Sequence, residues 1–326
     1  MNRVPVHIIT GFLGAGKTTF LNHFIQERLP ERIFVVENEC GETNVDGGLV
    51  IDGVEDVVEL SAGCLCCSLA DGLLDILEEA SKRRAEYDRL VIETTGIADP
   101  SSILQVFLED PRVERVFDLQ QVICLADAGL VEEWLSEADE ALRQIAVADV
   151  ILLNKIDTVS EKELPNTINV IRGINPHARL FTGLNGQFPI AELLNAGTTR
   201  PETVEHASVT HHHHHEHGDT ESNSHKITTF TLTFSLPLDL ESLQLDLNRI
   251  VHLYRHQVYR VKGFIAIPNY PNRVILQSAR STFIATDGSP WETKDQREGK
   301  LVFIGRGLKK ETFERMFNRH MVYHQK

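Results

Sequence analysis

The residues best suited to chemistry stand close together. Residues 63–67 read GCLCC, so Cys64, Cys66 and Cys67 place three of the chain's five cysteines within four positions. A disulfide, a metal site, redox chemistry and core filling are the uses to weigh. On an extended stretch Cys64 and Cys66 point to one side and Cys67 to the other. The residues that follow, SLADGLLDILEEASKRR, read as a helix with Ser68 as N-cap and Asp71 three residues on. The positive end of that helix lowers a nearby thiol's pKa and favours thiolate, the form that binds metal. Two or three soft ligands suit Zn²⁺ or another thiophilic cation but do not fill a tetrahedral shell. An open shell fits a transfer site better than a structural one. Cysteine is also a common core residue, and the vicinal pair Cys66–Cys67 leaves redox chemistry open. Cys124, inside the apolar run QVICLAD, reads as core.

A second set of residues points to phosphate. Residues 11–18, GFLGAGKT, match G-x-x-x-x-G-K-[ST] between an apolar strand and a helix. Gly11, Gly14, Ala15 and Gly16 let backbone N–H groups close round phosphate oxygens, and the helix start adds its positive dipole end. Lys17 is placed to reach β and γ phosphates and Thr18 to ligate Mg²⁺. Asn154, Lys155 and Asp157 form N-K-x-D after the run ADVILL. A carboxylate at Asp157 can accept from guanine N1–H and the 2-amino group, a donor pair that adenine lacks, so GTP is expected over ATP. RLVIETTG at 89–96 sits where the acidic strand end of a phosphate-loop NTPase belongs. There Glu93 would act on Mg²⁺, through water, and the Gly96 N–H would sense the γ-phosphate. GTPases commonly carry Asp where Glu93 stands, and no glutamine follows Gly96 to orient water, so slow turnover is expected. Glu37, Glu39, Glu42 and Asp46 surround Cys40 and Gly41 in VVENECGETNVDGG. That loop is either a solvated acidic loop or a source of one or two carboxylates for a metal or Mg²⁺.

These residues need rigid elements to hold them. VHIIT, RIFVVEN, RLVIETT, QVICLAD and ADVILLNK read as buried strands, and KTTFLNHFIQER and LADGLLDILEEASKRR as helices between them. The alternation predicts an α/β phosphate-loop NTPase domain over residues 1–200, with a mostly parallel sheet and helices on both faces. Residues 201–226 read as a flexible linker, and eight of the fifteen histidines fall between His206 and His225. Residues 227–326 predict a smaller α+β domain with an antiparallel sheet. The 326 residues suffice for two cores, and a net charge of −15 with pI 5.4 argues against nucleic-acid binding. No run approaches the ~18 apolar residues that span a bilayer. The start lacks a signal peptide's long apolar core and cleavage site, which places the protein in the cytoplasm, where five cysteines make a disulfide framework a weak reading.

Taken in order, GFLGAGKTT, ENECGE, GCLCC, ETTG and NKID, then the histidine-rich linker and YRVKG, resemble the CobW-like GTPases, relatives of UreG and HypB. The resemblance covers essentially the whole chain, and the C-x-C-C motif is its most specific part. It implies a GTP-dependent metallochaperone or metal-homeostasis factor that carries zinc, cobalt or nickel to a client metalloprotein. By motif match Cys64, Cys66 and Cys67 handle the metal with Glu37 and Glu42 as acidic partners, while Thr19 joins the phosphate loop. HHHHHEH is internal and interrupted by Glu216, unlike an expression tag. It reads as an imidazole-rich metal reservoir or as plain solvated linker. Arg260 and Lys262 of YRVKG stand for a client or nucleotide contact, or for a solvated face. Dimers are common in this family, and nothing in the sequence decides that here. A zinc buffer, a GTPase regulator with a structural metal and a small-molecule kinase are the competing readings; NKID argues against the last.

Overall fold

The structure is a computed structural model that describes residues 3–37, 69–197, 227–279, 282–292 and 295–322. The chain divides into two compact units, Met1–Thr198 and Thr199–Lys326. In the first unit the order is β1 (Val4–Gly11), α1 (Lys17–Arg28), β2 (Ile33–Glu37), α2 (Leu69–Lys82), β3 (Arg89–Glu93), α3 (Pro100–Glu109), α4 (Pro111–Val116) and β4 (Phe117–Asp127). It continues with α5 (Val131–Glu137), α6 (Asp139–Val147), β5 (Val150–Asn154), α7 (Leu164–Ile174), β6 (Arg179–Thr182) and α8 (Ile190–Gly197).

The strands form a six-stranded sheet in the order β2-β3-β1-β4-β5-β6, and every pairing among the described residues is parallel. From β1 the chain goes out to the edge strand β2, returns inward through β3, and then crosses to the other side of β1 at β4. The order of strands therefore reverses around β1, and ligands of such sheets bind at the carboxyl ends near that point. β1 is buried on both faces because both are covered. On one face α1 presents Phe20, Leu21, Phe24 and Ile25, spaced as one side of a helix, against Ile9, Ile123, Leu125 and Leu152. Phe188, Ile190 and Leu193 extend that core. α6 packs on β1 and β4 from the opposite side, as right-handed crossovers require when the chain changes direction.

Two elements differ from the sequence reading. β4 starts at Phe117, four residues before the apolar run. Its register on β1 shifts between Val6–Leu119 and His7–Gln121, so Gln120 is bulged out and the alternating pattern is broken there. β6 carried no strand signal because it is a four-residue edge strand with half-exposed side chains.

The second unit holds β7 (Ile227–Phe234), α9 (Leu240–Tyr254), β8 (Val258–Ile265), β9 (Asn272–Ala279), β10 (Thr282–Pro290), β11 (Gly299–Arg306) and α10 (Lys310–Asn318). Its sheet is antiparallel throughout, in the order β10-β9-β8-β11-β7. Leu243, Leu247 and Ile250 of α9 and Phe313 and Phe317 of α10 close its core over Leu232, Val261, Leu301 and Phe303. Residues just past α10 are clasped to α9: His320 Nε2 lies 2.6 Å from Asp246 Oδ2, and Ser242 Oγ lies 2.8 Å from His320 Nδ1. Burial pushes the Asp246 carboxyl up, but its bonds to Arg319 and His320 outweigh that and hold it below the usual range. Arg260 is buried within β8, so it does not belong to a solvated face.

His7 of β1 is a buried titratable group on the α1 side, its ring 5.9 Å from that of Phe24. Arg89 Nη1 donates to its Nε2. Burial and the Arg89 charge lower its pKa from 6.5 to about 3, so the folded protein keeps it neutral. The unfolded chain binds a proton there below pH 6.5 and the folded one does not. Stability from this site is therefore complete above 6.5 and declines as pH falls toward 3. Urea unfolding at pH 7 and pH 5 should show the wild type losing about 2 kcal/mol more than His7→Leu. An equal loss in both would remove His7 as the cause.

Candidate nucleotide site

The loop after β1 turns into α1 at Gly16, which has φ 98° and no side-chain cap on the helix. A side chain there is excluded twice, by the left-handed backbone and by Asn154 Nδ2, 2.5 Å from where a Cβ would stand. The first turn of α1 contains no acidic residue, so its N–H groups face the loop with the dipole unopposed. Lys17 Nζ donates to the carbonyls of Gly11 at 3.1 Å and Phe12 at 3.4 Å. Carbonyl oxygens here occupy the acceptor role that phosphate oxygens can take. Thr18 Oγ1 donates to Glu93 Oε1 at 3.1 Å, which joins the start of α1 to the end of β3. Thr94 N donates to Ile9 O at 2.9 Å and Thr94 Oγ1 to Thr10 Oγ1 at 3.1 Å, so the β3 end is stitched to β1. Gly96 comes next, pressed so closely on the loop that a Cβ would meet Leu13 N at 2.6 Å.

The N-K-x-D residues close the other side. Asn154 ends β5 and is 1% exposed. Its Nδ2 donates to Ala15 O at 3.0 Å, and its Oδ1 accepts from Gly186 N at 3.1 Å. Lys155 is held in the left-handed region, φ 54°. Its ammonium donates to Gly14 O at 2.7 Å and pairs with Asp127 Oδ2 at 2.9 Å. Asp157 lies two residues on, in the 3-10 turn Ile156–Thr158. It is exposed, and its carboxylate has no hydrogen bond or ion pair among the described residues. The arrangement thus spends Asn154 and Lys155 on holding loops together and leaves Asp157 open to a base.

Gly11, Gly14, Ala15, Gly16, Lys17, Thr18, Thr19, Glu93, Gly96, Asn154, Lys155 and Asp157 all lie at the carboxyl ends of β1, β3 and β5 or in the segments that follow them. Glu37 is the last residue of β2 and the register partner of Glu93. Cys64, Cys66, Cys67 and Glu42 lie outside the described residues, as do Glu39, Asp46, Ser68 and the stretch 201–226. Among the described residues no cluster of three His, Cys, Asp or Glu side chains could hold a metal ion. Cys124 is buried in β4, and burial pushes its thiol up to about 12, so it stays protonated at neutral pH.

Two contributors were not singled out from the sequence. Asp127 ends β4 opposite Asn154, and besides Lys155 it accepts from Gly129 N at 2.9 Å. A carboxylate closing the apolar run VICLA was the available signal. Gly186 supplies an N–H to Asn154 from the turn Leu184–Gln187, where Asn185 and Gly186 both have positive φ. The dipeptide Asn-Gly was its signal.

A phosphate loop on the central strand of a parallel sheet, facing an N-K-x-D turn, defines a P-loop GTPase. The chain belongs to the CobW/HypB/UreG family: the family's nucleotide-binding domain matches residues 5–182, and the cobalamin synthesis protein CobW C-terminal domain matches residues 227–321. It is 33% identical to the zinc chaperone YjiA of Escherichia coli (strain K12) over 322 residues, covering 97% of this chain and 98% of that one. It is 32% identical to the zinc chaperone CobW of Pseudomonas aeruginosa over 338 residues, covering 94% and 88%. The crystal structure of Zn(II)-bound YjiA GTPase from E. coli matches it with a TM-score of 0.72 at 30% identity, covering 99% and 100% of the two chains.

Truncating Asn154 would strand a buried carbonyl at Ala15 and a buried N–H at Gly186. Asn154→Ala is expected to lower unfolding free energy by about 2–4 kcal/mol, measured by chemical denaturation without nucleotide. A loss under about 0.5 kcal/mol would show that water replaces the amide.

Proposed function

We propose that this GTPase is a metallochaperone that binds a transition metal, zinc first, through Cys64, Cys66 and Cys67 and releases it to a client metalloprotein under control of bound GTP. The observation that carries the proposal is the register of β2 on β3, with Glu37 beside Glu93. The chain leaves β2 at Glu37 and returns at α2, and the cysteine motif lies in that connection. Adjacent strands are about 4.8 Å apart. The connection therefore departs from the corner where Thr18 and Glu93 meet. Near full-length similarity to two proteins named zinc chaperones supports zinc as the cargo.

In this reading Lys17 moves from the Gly11 and Phe12 carbonyls to the β and γ phosphates of GTP. The first-turn N–H groups of α1 hold the same anion. Thr18 Oγ1 and Glu93 Oε1 are hard oxygen donors close together at the phosphate end, a set that fits Mg²⁺. When bound, that ion neutralises charge on the β and γ phosphates. Thr18 and Glu93 would hold that ion, the Gly96 N–H would sense the γ-phosphate, and Asp157 would read guanine. The sequence continues IADP after Gly96, without a water-orienting glutamine, and the reading is one of slow turnover. Slow turnover suits a switch that holds its cargo until it meets a client. Glu37 and Glu42 add carboxylate oxygen to the thiolates. Cobalt and nickel are accepted by the same softness argument. No helix among the described residues is long and apolar enough to cross a membrane, and a cytoplasmic location is part of the proposal.

Competitive metal titration in GDP and in a non-hydrolysable GTP analogue should give affinities that differ by about 100-fold, a coupling of roughly 3 kcal/mol. Equal affinities, also unchanged in Lys17→Ala, would leave a zinc buffer instead. Cys66→Ser should abolish tight binding with little change in melting temperature; a large destabilisation would mark a structural metal.

For the base, Asp157→Asn replaces an acceptor by an amide that can donate. It should lower GTP affinity at least tenfold and raise that for xanthosine triphosphate, whose 2-oxo group accepts. Unaltered guanine preference in a nucleotide competition assay would remove Asp157 from base recognition.

A further inference from the structure

Gln144 of α6 is 1% exposed, and its amide meets the backbone of one turn. Its Nε2 donates to Gly96 O at 3.0 Å and to Ala98 O at 3.1 Å. Those two acceptors fix the amide's orientation, since turning it over would set Oε1 against two carbonyl oxygens. Oε1 is then buried with no hydrogen-bond partner among the described residues. A half-satisfied buried amide is unfavourable relative to an apolar side chain of similar size, so core packing does not account for it. Its donor bonds to this turn do.

The neighbouring residue on α6 grips the far end of the same turn. Arg143 Nη1 lies 3.2 Å from Asp99 Oδ2, and Asp99 in turn caps α3 by accepting from Ser101 N at 2.9 Å. Within the turn Ala98 N donates to Thr95 O at 3.1 Å. On its other side Gly96 rests on Leu13 of the phosphate loop. The turn 96–99 is therefore held between the phosphate loop and two successive side chains of α6.

We propose that Gln144 is a positioning residue for γ-phosphate recognition: by holding the carbonyls of Gly96 and Ala98 it sets where the Gly96 N–H points, and so how strongly the protein distinguishes GTP from GDP. It acts through Gly96 and contacts no nucleotide atom. The proposal rests on the reading of Gly96 as the γ-phosphate sensor. It adds α6 to the parts through which nucleotide state is felt.

The test measures affinity for GDP and for a non-hydrolysable GTP analogue, with kcat/KM for GTP, in the wild type, Gln144→Leu and Gly96→Ala. Gln144→Leu should keep GDP affinity within about twofold, weaken the analogue about tenfold and lower kcat/KM by a similar factor, as loss of two hydrogen bonds implies. If the leucine variant does not fold, Gln144→Asn retains an amide but falls one methylene short, and the same change in ratio is expected. Equal weakening of both nucleotides, or a lower melting temperature with an unchanged ratio, would overturn the positioning role. A ratio altered only in Gly96→Ala removes Gln144 and keeps the sensor. A ratio altered in neither removes both.

Discussion

The site depends first on one buried side-chain amide. Asn154 bonds in opposite senses to Ala15 and Gly186, so segments far apart in sequence share a single small group. Water has no access to that amide, and a broken bond there leaves a backbone group unsatisfied in the interior. The base motif therefore cannot shift without moving the phosphate loop. Lys155 strengthens the same link through Gly14 and Asp127, and it is held in a left-handed backbone that costs a lysine energy to adopt. The N-K-x-D turn and the loop after β1 are accordingly tied into one unit.

Around that unit the polar groups divide by what they are committed to. Asn154, Lys155 and Asp127 spend their hydrogen bonds on architecture, whereas Asp157 is exposed and uncommitted among the described residues. Lys17 rests on loop carbonyls and Thr18 on Glu93, both in bonds that a phosphate or a hard cation can replace with a stronger one. Groups that can change partners thus stand apart from groups that fix the geometry. The turn at Gly96 lies between these two sets, because both the loop and α6 hold its backbone.

Much of the fold was legible beforehand for a simple reason. Strands buried on both faces must be nearly continuous Val, Ile and Leu, and those runs stand out in any reading of the chain. The second unit showed itself through alternation, since its sheet faces a helical layer on one side. The misses were local. The early residues of β4 are polar and bulged, and β6 is a short edge, so neither repeats a period long enough to see. Glycine-lysine spacing exposed the phosphate loop because few residue types allow backbone N–H groups to surround an anion. Asp127, Gly186 and Gln144 carried no such pattern. Each does its work by meeting a residue at least 28 positions away.

Residue types and their spacing by themselves determined the phosphate-loop GTPase class and its α/β frame, and they are the source of the proposals that Asp157 reads guanine and that the thiols hold a soft metal. These are short-range matters, set by what a few neighbouring side chains can bond to. The tertiary structure alone decided which of these groups are spent on holding the site and which remain open to a ligand. It also decided that β2 ends beside Glu93 and that α6 reaches the turn at Gly96. Such pairings follow from strand order and helix packing, which bring distant residues within hydrogen-bond range and leave no trace in local sequence.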